Sequence, residues 1–416
     1  MTTATPPLGW NSWDCFGGSV TEAETLANAE FMAEHLLEFG WDTIVVDIQW
    51  YEPEPGFTDY APVSRAVLDA NGRPQPAVGR FPSAADGAGF TELARKVHDL
   101  GLKFGVHIMR GVPRRAVEAA LPIAGSPHTC ADIADPGNRC PWNPDNDGVL
   151  TDHPGAAHWY DSFIAMLAGW GVDFIKLDDV LYPPVERDDI ALIAAAIAKT
   201  GRDIGLSLSP GRQLSLAHLD FLRGHSTMWR VSDDLWDDWS AVTEQFQRAA
   251  RWAPHQRPGA FADLDMLPMG RLGIRAHVGE ARDSRLTLAE QRSMITLWAI
   301  ARSPMFFGGH LPESDPATIA LLRNPEVLRL LAGSADNREI IRDGDIVVWA
   351  ATVDGAQVRA AFWLGDEPTT LRLHADDLGV AAAAATDLWS GAELTAEGGW
   401  FTLDLDAHGT RLIRLP

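Results

Sequence analysis

Seven aspartates fall in four short motifs that set carboxylates alone, side by side or two residues apart: Asp47 in IVVDIQW, Asp178 and Asp179 in KLDD, Asp233 and Asp234 in SDD, and Asp263 and Asp265 in ADLD. Two cations stand with them, Lys176 two residues before Asp178 and Arg230 four residues before Asp234. Carboxyl pairs of this kind suit displacement at an acetal carbon. One carboxylate attacks the anomeric carbon while a second carboxyl donates and later recovers a proton, as retaining cleavage of a glycosidic bond requires.

The plainer role of each acid is structural, since aspartate just after a strand often caps the next helix. The set is harder to explain that way. Several carboxylates and two cations around one buried mouth cost free energy unless they act together. Lys176 and Asp178 are two apart on a strand, so they face the same side, and a cation there favours the ionised carboxylate.

The elements that must position these residues repeat along the chain. An amphipathic helix, a glycine and a short apolar strand recur as EFMAEHLLEFG-WDTIVVD, ELARKVHDLG-LKFGVHI, FIAMLAGWG-VDFIKLD and IALIAAAIAKTG-RDIGLSLS. Gly40, Gly101, Gly171 and Gly201 stand where a left-handed helix cap is expected. Thr21 with Glu24 three residues on predicts a capping box at the start of the first helix. Adding PLGWNSW, TMWRVS, GAFADLDM and SPMFFGG gives eight strand candidates. Runs that are apolar on both faces indicate parallel strands under helices, and eight units indicate a closed (β/α)₈ TIM barrel rather than an open sheet. In such a barrel reactive groups lie at the carboxyl ends of strands, where all seven aspartates fall.

Beyond about residue 332 the pattern turns to strands and hairpins. Asp343-Gly344 and Asp354-Gly355 separate β-rich runs, and WFTLDLD and TRLIRLP end the chain. We therefore expect a catalytic barrel over 1–332 and a small antiparallel β-sandwich domain over 333–416. The stretch 112–153, with CADIADPGNRCPWNPDNDG, is too long for an idle connection and is expected over the active face.

Composition narrows the partners. The formal net charge of -23 disfavours nucleic acid and anionic membranes. Sixteen Trp against four Tyr supplies indole faces suited to sugars. The opening MTTATPPLGW shows no signal peptide pattern; Cys15 stands alone, and Cys130 and Cys140 flank a polar loop where they could bridge or ligate a metal, free thiols of a cytoplasmic protein being the simpler reading. Asp145, Asp147 and Gly148 resemble part of a calcium loop without its closing glutamate, so neither a metal nor a cofactor is expected. The oligomeric state is not legible.

Together PPLGWNSWDCF, KLDD, WRVSDDLWDDW, DLDMLPMG and LWAIARSPMFFGG, in this order, resemble the α-galactosidase family of retaining glycoside hydrolases, the melibiases of glycoside hydrolase family 27. The resemblance spans nearly the whole chain. It implies an exo-acting α-galactosidase-like enzyme acting on a terminal α-galactoside or related pyranoside by double displacement, with a glycoside as partner. Asp178 matches the nucleophile and Asp234 the acid/base, with Asp233 as its alternative. Lys176 and Arg230 match residues that hydrogen-bond sugar hydroxyls, Trp13 the aromatic wall, and Asp47 the first of two adjacent acids that grip hydroxyls; Asp265, at the end of the seventh strand, is a further substrate-binding candidate.

Departures from the family pattern bear on specificity. Ile48 replaces the second acid and accepts no hydrogen bond. His107 stands where the family usually has Tyr, and Ser209 where a larger or acidic residue is common. These changes open the same-fold alternatives: a β-L-arabinopyranosidase, an α-N-acetylgalactosaminidase, an isomalto-type α-glucan hydrolase, or a sugar-binding barrel without catalysis.

Overall fold

The computed structural model describes residues 4–56 and 59–415. Eight parallel strands line the barrel: β1 (Leu8–Asn11), β2 (Thr43–Val46), β3 (Lys103–Met109), β4 (Phe174–Asp178), β5 (Gly205–Leu208), β6 (Met228–Arg230), β7 (Phe261–Asp263) and β8 (Met305–Phe307). They pair in sequence, and β1 also pairs with β8. The circle closes where Leu267, just past β7, bridges Phe307 of β8 in parallel. Each β1–β8 segment coincides with one of the eight strand candidates.

The helices between strands follow the local signals. The first, α1 (Glu22–His35), opens with the capping box of Thr21 and Glu24. It stops at His35, and a 3₁₀ turn (Leu37–Phe39) carries the chain to Gly40 at φ 91°. The helix is thus shorter than the apolar series suggests, because Leu36 leaves helical geometry at φ -128°. Gly101, Gly171 and Gly201 also take left-handed φ.

Strand residues such as Ile44, Val46, Phe104, Ile175, Leu177 and Trp229 are almost wholly buried, which explains apolar runs without polar alternation. Helix α2 (Leu288–Ala301), between β7 and β8, is buried on nearly every face. A helix apolar all round needs partners on both sides, and here the barrel lies on one and the C-terminal strands on the other. Ser293 Oγ donates to the His408 carbonyl at 2.6 Å, and Trp389 Nε1 donates to Thr296 Oγ1 at 2.9 Å.

The C-terminal strands form a six-stranded sheet and a two-stranded sheet around their own core of Val348, Leu371, Leu373, Phe401, Leu403 and Ile413. The first two antiparallel pairings turn at Asp343-Gly344 and Asp354-Gly355. This is the β-sandwich expected from the strand-and-turn pattern. Among the described residues no helix is long and apolar enough to cross a membrane.

The long stretch after β3 is folded rather than loose. Two short helices, Arg114–Glu118 and Cys130–Ile133, flank a small sheet built from Val112–Pro113, Ala134–Asp135 and Asn146–Val149. Cys15, Cys130 and Cys140 are buried free thiols. Asp145 accepts from the Tyr51 hydroxyl at 2.6 Å and Asp147 pairs with Arg139, so both acids of the partial calcium motif hold the segment in place.

Candidate active site

The carboxyl ends of the strands surround a cavity of about 600 Å³. Of the residues singled out in the sequence, Trp13, Asp47, Ile48, Lys176, Asp178, Ser209, Asp233 and Asp234 line it. His107, Arg230, Asp263 and Asp265 stand buried behind this wall; His107 reaches Asp178, Arg230 reaches Asp234, and Asp265 holds Arg230.

Asp178 ends β4 with its side chain turned into the cavity. Its Oδ1 accepts from the Asp179 backbone N–H at 2.8 Å and from the Ser209 hydroxyl at 3.1 Å. Its Oδ2 lies 3.0 Å from His107 Nε2. His107 Nδ1 is buried without a partner among the described residues, so the imidazole proton belongs on Nε2. Burial alone would raise this carboxyl. The His107 hydrogen bond and the Lys176 charge overcome it and hold Asp178 well below the ordinary carboxylate range. The carboxylate is therefore ionised and fixed from three directions.

Lys176 makes its ion pair with Asp47 rather than with Asp178, at 2.8 Å. Asn11 Nδ2 donates to the same Asp47 oxygen at 2.7 Å, and the Asp47 backbone N–H donates to Ser12 Oγ at 3.0 Å. Burial works to raise Asp47, and the charge and hydrogen bond of Lys176, the nearby His107 and the Ile48 backbone N–H together more than offset it, leaving the group below its usual value. This pair presents an ammonium and a carboxylate together to the cavity, a donor and acceptor set suited to sugar hydroxyls. Ile48 beside it is 2% exposed and packs with Trp13, Met109 and Cys140.

Asp234 is the exposed carboxyl, with its side chain at 54%. Arg230 reaches it at 3.1 Å from Nη2 while Nη1 holds Asp265 at 2.9 Å. Burial pushes Asp265 up despite Arg230. The neighbour Asp233 is engaged elsewhere, accepting from the Tyr182 hydroxyl at 2.6 Å. Of the two adjacent aspartates, Asp234 is the one joined to the buried arginine.

Other lining residues were not anticipated. Tyr60, Trp142, Tyr182, Trp236 and His277 complete the wall. Trp13 stacks near Tyr60, ring centroids 6.3 Å apart, and His277 lies 5.4 Å from each ring. Trp236 lay within the quoted WRVSDDLWDDW motif, and Trp142 within the long stretch expected over this face. Tyr60 and Tyr182 carried no motif, though they are two of the four tyrosines in the chain.

A family model described as alpha galactosidase A matches residues 145–332, and one described as alpha galactosidase C-terminal beta sandwich domain matches 343–415. The crystal structure of a family 27 β-L-arabinopyranosidase from Geobacillus stearothermophilus is 43% identical in sequence, superposing with a TM-score of 0.96 over 99% of this chain and 96% of that one. A Bacillus halodurans C-125 structure with a provisional α-N-acetylgalactosaminidase assignment is 40% identical, with a TM-score of 0.88 over 100% and 99%. An α-galactosidase from Coffea arabica is 27% identical over 98% of this chain and 93% of its own.

Proposed function

The chain belongs to the α-galactosidase family, glycoside hydrolase family 27, and on that premise we propose that it removes terminal β-L-arabinopyranosyl units by double displacement on Asp178. It is a retaining glycoside hydrolase. What the family leaves open is the sugar.

Ile48 carries the specificity reading. A β-L-arabinopyranose has the ring stereochemistry of an α-D-galactopyranose without the hydroxymethyl group. Where a second acid would accept a hydroxyl hydrogen bond, this cavity has a buried isoleucine, which favours a ring edge ending in CH₂. The Geobacillus stearothermophilus relative, named for this activity and solved also with arabinose, supports the same choice.

The residues then divide the work. Trp13 forms the apolar wall against the ring, and the Lys176–Asp47 pair takes hydroxyls. Asp178 attacks the anomeric carbon while Asp234 protonates the departing oxygen. Asp234 then deprotonates the water that releases the sugar from Asp178. His107 and Ser209 keep the nucleophile's lone pairs oriented; Arg230, held by Asp265, fixes Asp234.

Kinetics on paired aryl glycosides test the proposal. The wild type is expected to favour the β-L-arabinopyranoside over the α-D-galactopyranoside by about 10- to 100-fold in kcat/KM, the range within which an apolar wall discriminates against an added hydroxyl. Ile48→Asp should move that ratio toward the galactoside by about tenfold or more. A wild type that prefers the galactoside, with a ratio unmoved by Ile48→Asp, would leave α-galactosidase as the activity.

A further inference from the structure

We propose that Arg110 is a positioning residue for the nucleophile: it grips two successive peptide carbonyls after β4 and so holds the left-handed turn that aims the Asp179 N–H at Asp178. The inference rests on Asp178 as the nucleophile of the reaction proposed above.

Asp179 follows the nucleophile with φ 63°. A left-handed φ is unfavourable for a residue with a Cβ, although Asp and Asn adopt it more readily than most. Here the turn orients a donor. The peptide between Asp178 and Asp179 sends its N–H back to Asp178 Oδ1 at 2.8 Å. Relaxation of Asp179 to a negative φ rotates this peptide relative to the chain that follows, so the turn has to be held by its surroundings.

Arg110 supplies that hold. It stands directly after β3, the strand paired with β4, and is 5% exposed. Its backbone N–H donates to the Asp178 carbonyl at 3.2 Å, the other side of the peptide that serves the nucleophile. Its Nε donates to the Asp179 carbonyl at 2.6 Å, and Nη2 lies 2.9 Å from Asp179 Oδ2. The Val180 N–H, across that second peptide, donates to the Ser209 carbonyl at 3.1 Å. Both peptides of the turn are therefore fixed on both sides, and Arg110 takes one side of each.

The planar guanidinium reaches a carbonyl and a carboxylate together, which a lysine ammonium cannot do in the same geometry. The groups facing the Asp179 carboxyl are Arg110, Asp178, Glu186 and the Cys140 thiol; burial, with the two acids, pushes it up to about 7 against the pull of Arg110. The bond to the Asp179 carbonyl is indifferent to that proton, so the grip on the turn persists when the ion pair weakens. Arg110 also donates to Asn138 in the folded stretch after β3, from Nη1 to its carbonyl at 3.2 Å and from Nη2 to its Oδ1 at 3.0 Å. Anchoring that stretch is a separate, structural role that the test must set apart.

The test measures kcat/KM on the glycosyl fluoride of the preferred pyranose and inhibition by that free pyranose, L-arabinose or D-galactose, which gauges whether the sugar site is intact. Asp179→Asn is the background, since asparagine suits a left-handed φ and leaves no unpaired buried charge once Arg110 is changed. Adding Arg110→Met to it is expected to lower kcat/KM about tenfold to a hundredfold, with the inhibition constant within about twofold. Arg110→Lys in the otherwise native chain should lose less, about tenfold at most. Asn138→Ala, which loosens only the tie to the folded stretch, should lower the melting temperature and change kcat/KM by less than about twofold. Equal kcat/KM with and without Arg110→Met, a loss matched by an equal rise in the inhibition constant, or the same loss in Asn138→Ala would overturn the proposal. Should the double variant fail to fold, Arg110→Lys decides, and full kcat/KM there overturns it. Near wild-type hydrolysis by Asp178→Asn would instead remove the nucleophile on which the proposal stands.

Discussion

On the proposed role of Asp178 as nucleophile, Asp178→Asn is expected to lower kcat/KM by on the order of 10⁴-fold or more for every substrate, whatever its leaving group. The loss should be chemical rather than structural. Asparagine keeps an oxygen to accept from the Asp179 N–H and the Ser209 hydroxyl. Its amide nitrogen would face His107 Nε2, which must then become the acceptor, moving the proton to the buried, partnerless Nδ1. That change costs about 1–3 kcal/mol, enough to lower a melting temperature slightly and too little to unfold the chain. Asp178→Gly with added azide should recover part of the activity and give a glycosyl azide of inverted configuration, since azide replaces the carboxylate on the same face. Steady-state kinetics with product analysis check both outcomes. Hydrolysis by Asp178→Asn at near wild-type rate would remove the residue from the mechanism.

Asp234→Ala should lose about 10²- to 10⁴-fold on substrates with a poor leaving group, the span expected of a lost general acid. The same variant should lose far less in the first step on a glycosyl fluoride, whose departing ion needs no proton. Stability should hardly change. The carboxyl is half exposed, and its contact with Arg230 is one of two, the buried Asp265 pair remaining. Asp233→Ala separates the neighbours: with its carboxylate joined to Tyr182, it should leave the dependence on leaving-group acidity as in wild type. A flat response of Asp234→Ala to the leaving group, with a steep one in Asp233→Ala, would exchange the two roles.

How much of this was legible in the sequence depended on whether a residue's placement was local. Lys176 and Asp178 share a face because strand side chains alternate with a period of two, and both indeed line the cavity. Thr21 and Glu24 mark a helix start through bonds three residues apart, and Asp354-Gly355 marks a hairpin by tolerating positive φ. Rules of that range recovered eight barrel strands and the C-terminal β-sandwich.

Depth in the barrel is not a local property. His107 pairs in register with Lys176 on the next strand, yet it stands behind Asp178 while Lys176 faces the cavity. No spacing rule within one strand encodes that difference. Lys176 likewise carried a cation toward the acids, but which acid it pairs with follows from Asn11, the last residue of β1, and Ser12 just after it setting the position of Asp47. Tyr60, Trp142 and Tyr182 reach the cavity on loops whose course depends on contacts far along the chain, such as Tyr51 with Asp145. The long stretch after β3 announced its importance by length alone, and only its fold shows that Trp142 is what it delivers.

The most direct test of the account is to identify the residue that becomes covalently bound to sugar. Incubation with a 2-deoxy-2-fluoro glycosyl fluoride of the preferred pyranose slows release of the sugar from the enzyme, and peptide mass spectrometry then locates the adduct. The account predicts that any added sugar sits on Asp178 within FIKLDD, with none in Asp178→Asn. An adduct on Asp233, Asp234 or any other residue would contradict it.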